Sequence, residues 1–319
     1  MKRFRLVGLG VTLLLMAAAA PCATERASEQ MAERTVDTSD VYAEARQIGK
    51  EVELLLNHLN VGAFEVAEPL KADLAPRHVW QQGYILLTKI NVFRRKNGYP
   101  VGSISTLEPV LEFDPLLVFE QTQRILAELQ MLKRRLGAEA TVTPRTPAVN
   151  KRPVDVFNQL HQVSLDLDAM NHEAINASYL FAEVMRVYED ADTLLRWLRL
   201  EDTTSPPEKL ARVTFADSHA AALELMGEIQ RLQRSGGIER VDFSALLRRD
   251  EMGGGGEFGS SDVFTMIAMC LAEMQTLKAS LDLTRAITPP AEYHEGKEPA
   301  DVHQLLRWTT RKLRLIQAL

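Results

Sequence analysis

The helical organisation of the chain is clearest in residues 115–137, which read PLLVFEQTQRILAELQMLKRRLG. The stretch opens on Pro-x-x-Val-aromatic, and a proline in the first turn of a helix costs nothing because its missing N–H would have no partner there. Apolar residues recur 7, 11 and 14 positions after Val118, on one face of a 3.6-residue period. A cluster of cations followed by Gly137 is typical of a helix end. The stretch therefore predicts one amphipathic helix.

The same opener recurs along the chain. Similar patterns begin at Pro76, Pro153, Ser260 and Pro299. The five anchoring valines, which are 39, 38, 107 and 39 residues apart, are Val79, Val118, Val156, Val263 and Val302. One apolar stripe per helix cannot be buried alone, so the copies must pack together. The sequence predicts an all-α fold, either a helical bundle or a short α-solenoid built from repeats of about 38–39 residues, and we favour the bundle.

Composition excludes several classes of protein. The chain has 319 residues, 46% of them hydrophobic, and a formal charge of −6, values typical of a globular protein and not of a disordered, collagen-like or polytopic membrane protein. A net acidic chain is a poor partner for nucleic acid, so we expect the protein to bind no nucleic acid. Two cysteines exclude a disulfide-rich scaffold. Because Cys270 lies in an apolar run, a buried and inert thiol is expected there.

The N-terminus has the layout of a secretory signal peptide. Three cations precede an apolar run, 6–20, that Pro21 ends. A cut after Cys22 would remove residues 1–22, change the formal charge from −6 to −9 and leave no transmembrane span. The prediction is a periplasmic or secreted protein. Lipid attachment at Cys22 is the alternative, but Ala19 and Pro21 do not match a lipobox.

The remaining chain divides into regions by composition and repeats. Two connections, 141–160 (TVTPRTPAVNKRPVDVFNQL) and 286–306 (AITPPAEYHEGKEPADVHQLL), share Thr-Pro, a polar stretch, Pro, Asp-Val and Gln-Leu. This similarity indicates that an N-terminal unit was partly duplicated at the C-terminus. The predicted regions are a signal peptide, 1–22; a disordered linker, 23–38; three helical repeats, 39–172; central helices, 173–249; a Gly-rich linker, 250–261; and two further repeats, 262–319.

Local motifs for catalysis, metals and cofactors are absent from the sequence. The glycines of 253–256 lack the preceding strand and the Lys-Ser/Thr that a phosphate loop needs. None of the seven histidines has the helical spacing of a metal site, and no Gly-x-Ser-x-Gly occurs. We therefore expect no catalytic residue, no metal ligand and no cofactor, with an enzyme built from a dispersed site as the least favoured alternative.

Two side-chain rows recur at fixed repeat positions. An aromatic residue follows four of the valines, and a glutamine lies three residues after three of them. Each row is interpreted either as packing and loop capping or as a groove for a partner or ligand. The candidate groove residues are Trp80, Phe119, Phe157, Phe264, Gln82, Gln121 and Gln159.

These observations favour an exported, non-catalytic helical binding or scaffold protein of the bacterial cell envelope. The expected partner is another envelope protein, bound in a helical groove. The alternative is a periplasmic helical bundle that binds or senses a small ligand.

Overall fold

The computed structural model describes residues 35–62, 69–102, 104, 113–138, 145–172, 175–243, 258–283 and 285–319. These ranges contain eight helices and no strand, which confirms the all-α prediction. The signal peptide, the linker up to residue 34 and the Gly-rich linker up to residue 257 lie outside the described residues. The helices are α1 Thr38–Leu59, α2 Pro76–Lys96, α3 Pro115–Leu136, α4 Pro153–Asn171, α5 Ala177–Trp197, α6 Phe215–Ser235, α7 Ser260–Ser280 and α8 Pro299–Leu315.

The helix starts follow the expected capping chemistry. Proline occupies the first turn of α2, α3, α4 and α8. The Asp114 side chain accepts a hydrogen bond from Leu117 N, and Asn176 and Thr214 cap α5 and α6 in the same way. Such caps satisfy N–H groups that have no partner within the helix.

The helices form two rings of four. In the first, here bundle 1, α1 and α2 each contact both α3 and α4. In the second, bundle 2, α5 and α6 each contact both α7 and α8. The helices of the predicted central region and of the C-terminal repeats therefore share one bundle. Bundle 1 and bundle 2 meet where α2 packs on α7.

All four helices of bundle 1 run in the same direction. Their first residues and the valines that follow converge at one end of the bundle, where they line a small cavity: Thr38, Val41, Pro76, Val79, Pro115, Val118, Pro153 and Val156. At the other end, His58 Nε2 of α1 lies 3.0 Å from Leu136 O of α3. Each connection must therefore return the chain over about 30 Å, the length of a 20-residue helix. The sequence repeat is one helix with its return connection.

Bundle 2 is parallel as well. Ser218 Oγ donates to Pro299 O, which joins the starts of α6 and α8. Arg231 Nη2 donates to Leu313 O near the ends of the same helices. Lys278 and Asp190 likewise pair in the second halves of α7 and α5.

The two bundles repeat each other in detail. Ser39 and Ser178 are both second residues of their helices, and they accept from Lys151 N at 3.2 Å and Lys297 N at 3.1 Å. The residues three positions before α4 and α8, Asn150 and Gly296, both have a positive φ. The helices of the two bundles contact one another in the same order, and they form matched hydrogen bonds. The internal similarity therefore extends from the two connections to all four helices of each bundle.

Matched ion pairs set the register between parallel neighbours. Lys133 Nζ lies 2.7 Å from Glu51 Oε2, and Lys278 Nζ lies 2.9 Å from Asp190 Oδ1. In both pairs the carboxylate is the 14th residue of its helix and the lysine the 19th. This offset is the pairing that flanks the apolar seam of a parallel coiled coil.

A third pair recurs with its charges exchanged. Lys89 pairs with Asp168 at 2.6 Å between α2 and α4, whereas Glu228 pairs with Arg314 at 2.9 Å between the equivalent positions of α6 and α8. The two pairs occupy equivalent helix positions although their charges are exchanged, so the ion pair has a structural role in both bundles.

The joint between the bundles contains a buried carboxylate. Glu273 of α7 lies 2.8 Å from both Arg77 Nη2 and His78 Nε2 of α2, and it accepts from Gln233 Nε2 at 2.6 Å. Burial raises the pKa of Glu273, but the hydrogen bonds from His78 and Gln233 and the charge of Arg77 outweigh it and hold the pKa at about 2. Burial lowers the pKa of His78 below its usual 6.5.

Loss of the Lys278 ammonium should destabilise the protein strongly. Lys278→Met leaves the buried carboxylate of Asp190 without the ammonium that balances its charge, which should lower the free energy of unfolding by about 3–5 kcal/mol in urea titrations followed by circular dichroism. Arg314→Met is the matched control, because its pair is half exposed and is expected to contribute less than about 1 kcal/mol. Equal losses in the two variants would contradict the structural role of the buried pair.

Stability should fall on mild acidification because His78 is buried. Its folded pKa lies below the unfolded value of 6.5, so the stabilisation is present above pH 6.5 and is lost as pH falls through that value. Between pH 7.5 and 5.5 we expect the free energy of unfolding to drop by up to about 1.4 kcal/mol per pH unit. His78→Asn should flatten this dependence, whereas replacing the exposed His58 should not. An unchanged slope in His78→Asn would refute the assignment.

Candidate functional site

The structure distributes the predicted aromatic row around bundle ends. Trp80, Phe119 and Phe157 lie at one level of bundle 1 on three different helices, and Phe264 lies in bundle 2. Phe157 and Phe264 are buried, while the Trp80 ring packs on Phe113 at 5.7 Å between centroids. The Arg145 guanidinium lies 5.7 Å from the Phe119 ring. In the described part of the chain, two of these side chains are therefore buried and the other two contact Phe113 or Arg145.

The repeated glutamines lie between helices. Gln82 and Gln121 are buried, and Gln159 is half-buried. Gln121 lies against Gly83 of α2, where a Cβ would come within 2.3 Å of its Oε1. Gln159 lies in the same way against Gly49 of α1. A missing Cβ on the neighbouring helix therefore makes room for each of these two amides.

The described residues also bear on the predictions about Cys270, metal ligands and membrane spans. Cys270 is fully buried, and burial raises the pKa of its thiol, as expected for an inert cysteine. In the described ranges no group of three or more His, Cys, Asp or Glu side chains could hold a metal ion. Among the same residues, no helix has the length and apolar character needed to cross a bilayer.

A concave site lies where α2, α5 and the connection before α8 meet. This site, the junction pocket, has a cavity volume of about 170 Å³. That volume is smaller than the roughly 300–1,000 Å³ of drug-sized ligand sites, so only a small ligand would fit. Its lining includes Tyr84, Thr88 and Arg95 of α2, Tyr179 and Glu183 of α5, and Ala291 and Tyr293 of the connection.

The inner part of the junction pocket contains a polar group without a protein partner. Thr88 is 5% exposed, and its hydroxyl forms no hydrogen bond in the described structure. Glu183, by contrast, accepts from Arg186 Nη1 at 2.8 Å. The Arg186 guanidinium also lies 4.4 Å from the Tyr84 ring centroid. A buried hydroxyl without a partner is costly to the stability of the fold.

The mouth of the junction pocket carries a guanidinium on two aromatic rings. Arg95 lies 4.4 Å from the Tyr293 ring centroid and 5.7 Å from that of Tyr179, and the two rings are 4.7 Å apart. Burial raises the pKa of Tyr179, and the charge of Arg95 opposes that rise. Within the described part of the chain, Arg95 forms no ion pair with a carboxylate.

The pocket wall formed by the connection before α8 is held in place by buried polar bonds. Lys278 Nζ donates to Thr288 Oγ1 at 2.6 Å and to Ala286 O at 3.1 Å. Thr288 Oγ1 donates to Asp190 Oδ2 at 2.8 Å. Arg186 Nε donates to Pro289 O at 3.1 Å. The wall is therefore preformed, which lowers the entropic cost of binding.

The equivalent place in bundle 1 is filled by an arginine. Arg145 Nη1 lies 2.7 Å from Glu44 Oε1, and its Nη2 lies 2.6 Å from Asp40 Oδ1. Glu44 and Asp40 occupy the seventh and third positions of α1, which in α5 are Glu183 and Tyr179. Bundle 1 thus places its own guanidinium where bundle 2 has the junction pocket.

Two compensating differences open the junction pocket in bundle 2. Arg145 lies eight residues before α4 in bundle 1, and Ala291 lies eight residues before α8 in bundle 2. The carboxylate of Glu183 instead receives Arg186, which stands at the α5 position that Gln47 holds in α1. Arg186 of α5 therefore balances the charge of Glu183. The space that Arg145 fills in bundle 1 is left open in bundle 2.

Comparisons with known proteins yield no relative. No family model, no curated protein and no solved structure matches the chain. The chemistry of the junction pocket and the internal duplication are therefore the grounds for assigning a function.

None of the residues of the junction pocket was among the sequence-predicted site residues. One signal was available: the similar connections 141–160 and 286–306 differ in side-chain size where Arg145 is replaced by Ala291. The contribution of α2 could not be found in this way, because it depends on the packing of α2 against bundle 2.

Removal of the Thr88 hydroxyl should stabilise the protein without ligand. Thr88→Val keeps the shape and removes a buried group that has no protein partner, so the free energy of unfolding should rise by about 1–3 kcal/mol. The control is Thr309→Val, since the buried Thr309 hydroxyl donates to Leu305 O at 2.9 Å and its loss should cost about 1 kcal/mol. Destabilisation by Thr88→Val in urea titrations would show that the hydroxyl is already satisfied.

Proposed function

We propose that the protein is an exported, non-catalytic binding protein of the cell envelope that holds a small ligand in the junction pocket. The observation that carries the proposal is a preformed pocket lined by three tyrosines and by Arg95. Largely preformed pockets with a few convergent polar groups are the usual form of small-ligand sites. The signal-peptide layout of residues 1–22 supports export.

A ligand in this position would contact both bundles. Tyr84, Thr88 and Arg95 belong to bundle 1, whereas Tyr179 and Tyr293 belong to bundle 2. Ligand contacts to both sides add to the α2–α7 joint, so occupancy should stabilise the folded chain by mass action. A binding function needs no further chemistry from the site.

Binding of an envelope protein is the second candidate function. The observation that favours it is the exposure of Trp197, 54% accessible at the end of α5, with the apolar Leu200 also exposed nearby in sequence. Exposed tryptophans are enriched at the centres of protein interfaces. Crosslinking to envelope proteins that Trp197→Ala abolishes would support this candidate, and an unchanged crosslinking pattern would remove it.

Tyrosine-selective NMR tests the small-ligand proposal. Three of the six tyrosines line the junction pocket, while Tyr42 and Tyr188 do not. A small-molecule extract of the cell envelope added to ¹³C-tyrosine-labelled protein should shift the signals of Tyr84, Tyr179 and Tyr293 and leave those of Tyr42 and Tyr188 in place.

Ala291→Arg is the control for the same experiment. It places in bundle 2 the side chain that fills the equivalent site of bundle 1, so it should abolish the shifts. Extract that shifts none of the three pocket tyrosines would refute the proposal. Shifts that persist undiminished in Ala291→Arg would place the ligand elsewhere and would also refute it.

A further inference from the structure

We infer that the junction pocket selects a planar ring carrying one anionic group, a carboxylate or a phosphate, and that Arg95 anchors the anion. This inference rests on the proposed function of the pocket and adds the chemical class of its ligand.

The charge of Arg95 is the first reason. The planar guanidinium is held with its carbon 4.4 Å from the Tyr293 ring centroid, and no carboxylate in the described ranges pairs with it. Contact with an aromatic ring does not use all five N–H donors of a guanidinium, so donors of Arg95 remain for a ligand. Such donors match the oxygens of a carboxylate or phosphate in a bidentate arrangement.

The charge balance inside the pocket also favours an anionic ligand. Glu183 is the buried carboxylate of the lining, and Arg186 neutralises it at 2.8 Å. In bundle 1 the equivalent carboxylates, Asp40 and Glu44, share the single guanidinium of Arg145. Bundle 2 keeps one carboxylate there and gains Tyr179 in place of the other. Arg95 therefore adds a positive charge that the pocket itself does not balance.

The aromatic lining argues against a cationic ligand. Three tyrosines could form a cage for an ammonium group, but two of their faces already hold guanidinium groups. Arg186 lies 4.4 Å from the Tyr84 ring, and Arg95 lies 4.4 Å from the Tyr293 ring. A cationic ligand would be repelled by Arg95, which pairs with no carboxylate in the described ranges, and this repulsion supplies selectivity against it.

The shape of the lining favours a flat ring. Pro290 and Ala291 present short side chains on one wall, and the tyrosine rings present extended surfaces on the others. A planar ligand ring can pack on such surfaces in offset or edge-to-face geometry.

Four matched probes test the inference. Benzoate, phenyl phosphate, neutral benzamide and cationic benzylamine are titrated into the full chain, and dissociation constants are read from the tyrosine NMR shifts. At least one of the two anions should bind at least tenfold more tightly than benzamide, and benzylamine should bind most weakly. Comparing benzoate with phenyl phosphate shows which anion the site prefers.

Variants locate the anion. Arg95→Gln should remove the tenfold preference for the anion, and Arg95→Lys should retain part of it. Arg135→Gln is the control, because Arg135 is another exposed arginine beside a tyrosine, 6.0 Å from the Tyr99 ring and outside the pocket lining. Circular dichroism of each variant confirms that the helices are intact.

The outcomes separate the inference from the proposed function. Shifts of the pocket tyrosines by benzamide equal to those by the anions, with no effect of Arg95→Gln, would overturn the anion preference and leave a small-ligand site. If neither the probes nor the envelope extract shifts Tyr84, Tyr179 or Tyr293, both the inference and the proposed function fail.

Discussion

The common direction of the four helices in each bundle is the constraint on which the rest depends. Parallel helices place their positive dipole ends at one end of the bundle and their negative ends at the other, and no helix of the same bundle cancels them. Asp37 and Asp114 cap starts of bundle 1, while Arg95 and Arg135 lie at its opposite end. The α2–α7 joint is antiparallel, since Arg77 at the start of α2 pairs with Glu273 in the second half of α7. Each bundle therefore places its positive end near the negative end of the other.

Parallel helices also explain the connections and the site. Every connection within a bundle must return the chain along the helices, and the described parts of two such connections are anchored by side chains. The connection before α4 is anchored by Arg145, whereas that before α8 is anchored through Thr288 and Lys278. The second connection has Ala291 where the first has Arg145, and the junction pocket lies there beside α5. The difference in anchoring therefore accounts for the position of the pocket.

The fold was largely predictable from the sequence, and the site was not. The Pro-x-x-Val-aromatic opener locates α2, α3 and α4, and its weaker copies locate α7 and α8, but α5 and α6 begin after Asn176 and Thr214 without this pattern. Repeat length could also have indicated direction, because 38–39 residues fit one helix and one return. The junction pocket requires knowing that α2 packs on α7. The apolar run 266–271 was a sign that α7 is buried beyond its own bundle, but it names no partner.

The most direct test of the parallel arrangement is a pair of distances between spin labels. Labels at Asn57 and Arg135, in a chain with Cys22→Ser, report the separation of the C-terminal ends of α1 and α3; Cys270 is buried and does not react. Labels at Asn57 and Glu120 report the separation between the end of α1 and the start of α3. Since 15 residues of helix separate Glu120 from Arg135, a parallel pair predicts that the second distance is longer, with an axial offset of about 22 Å. A shorter distance from Asn57 to Glu120 than to Arg135 would show that α1 and α3 are antiparallel and would contradict the account.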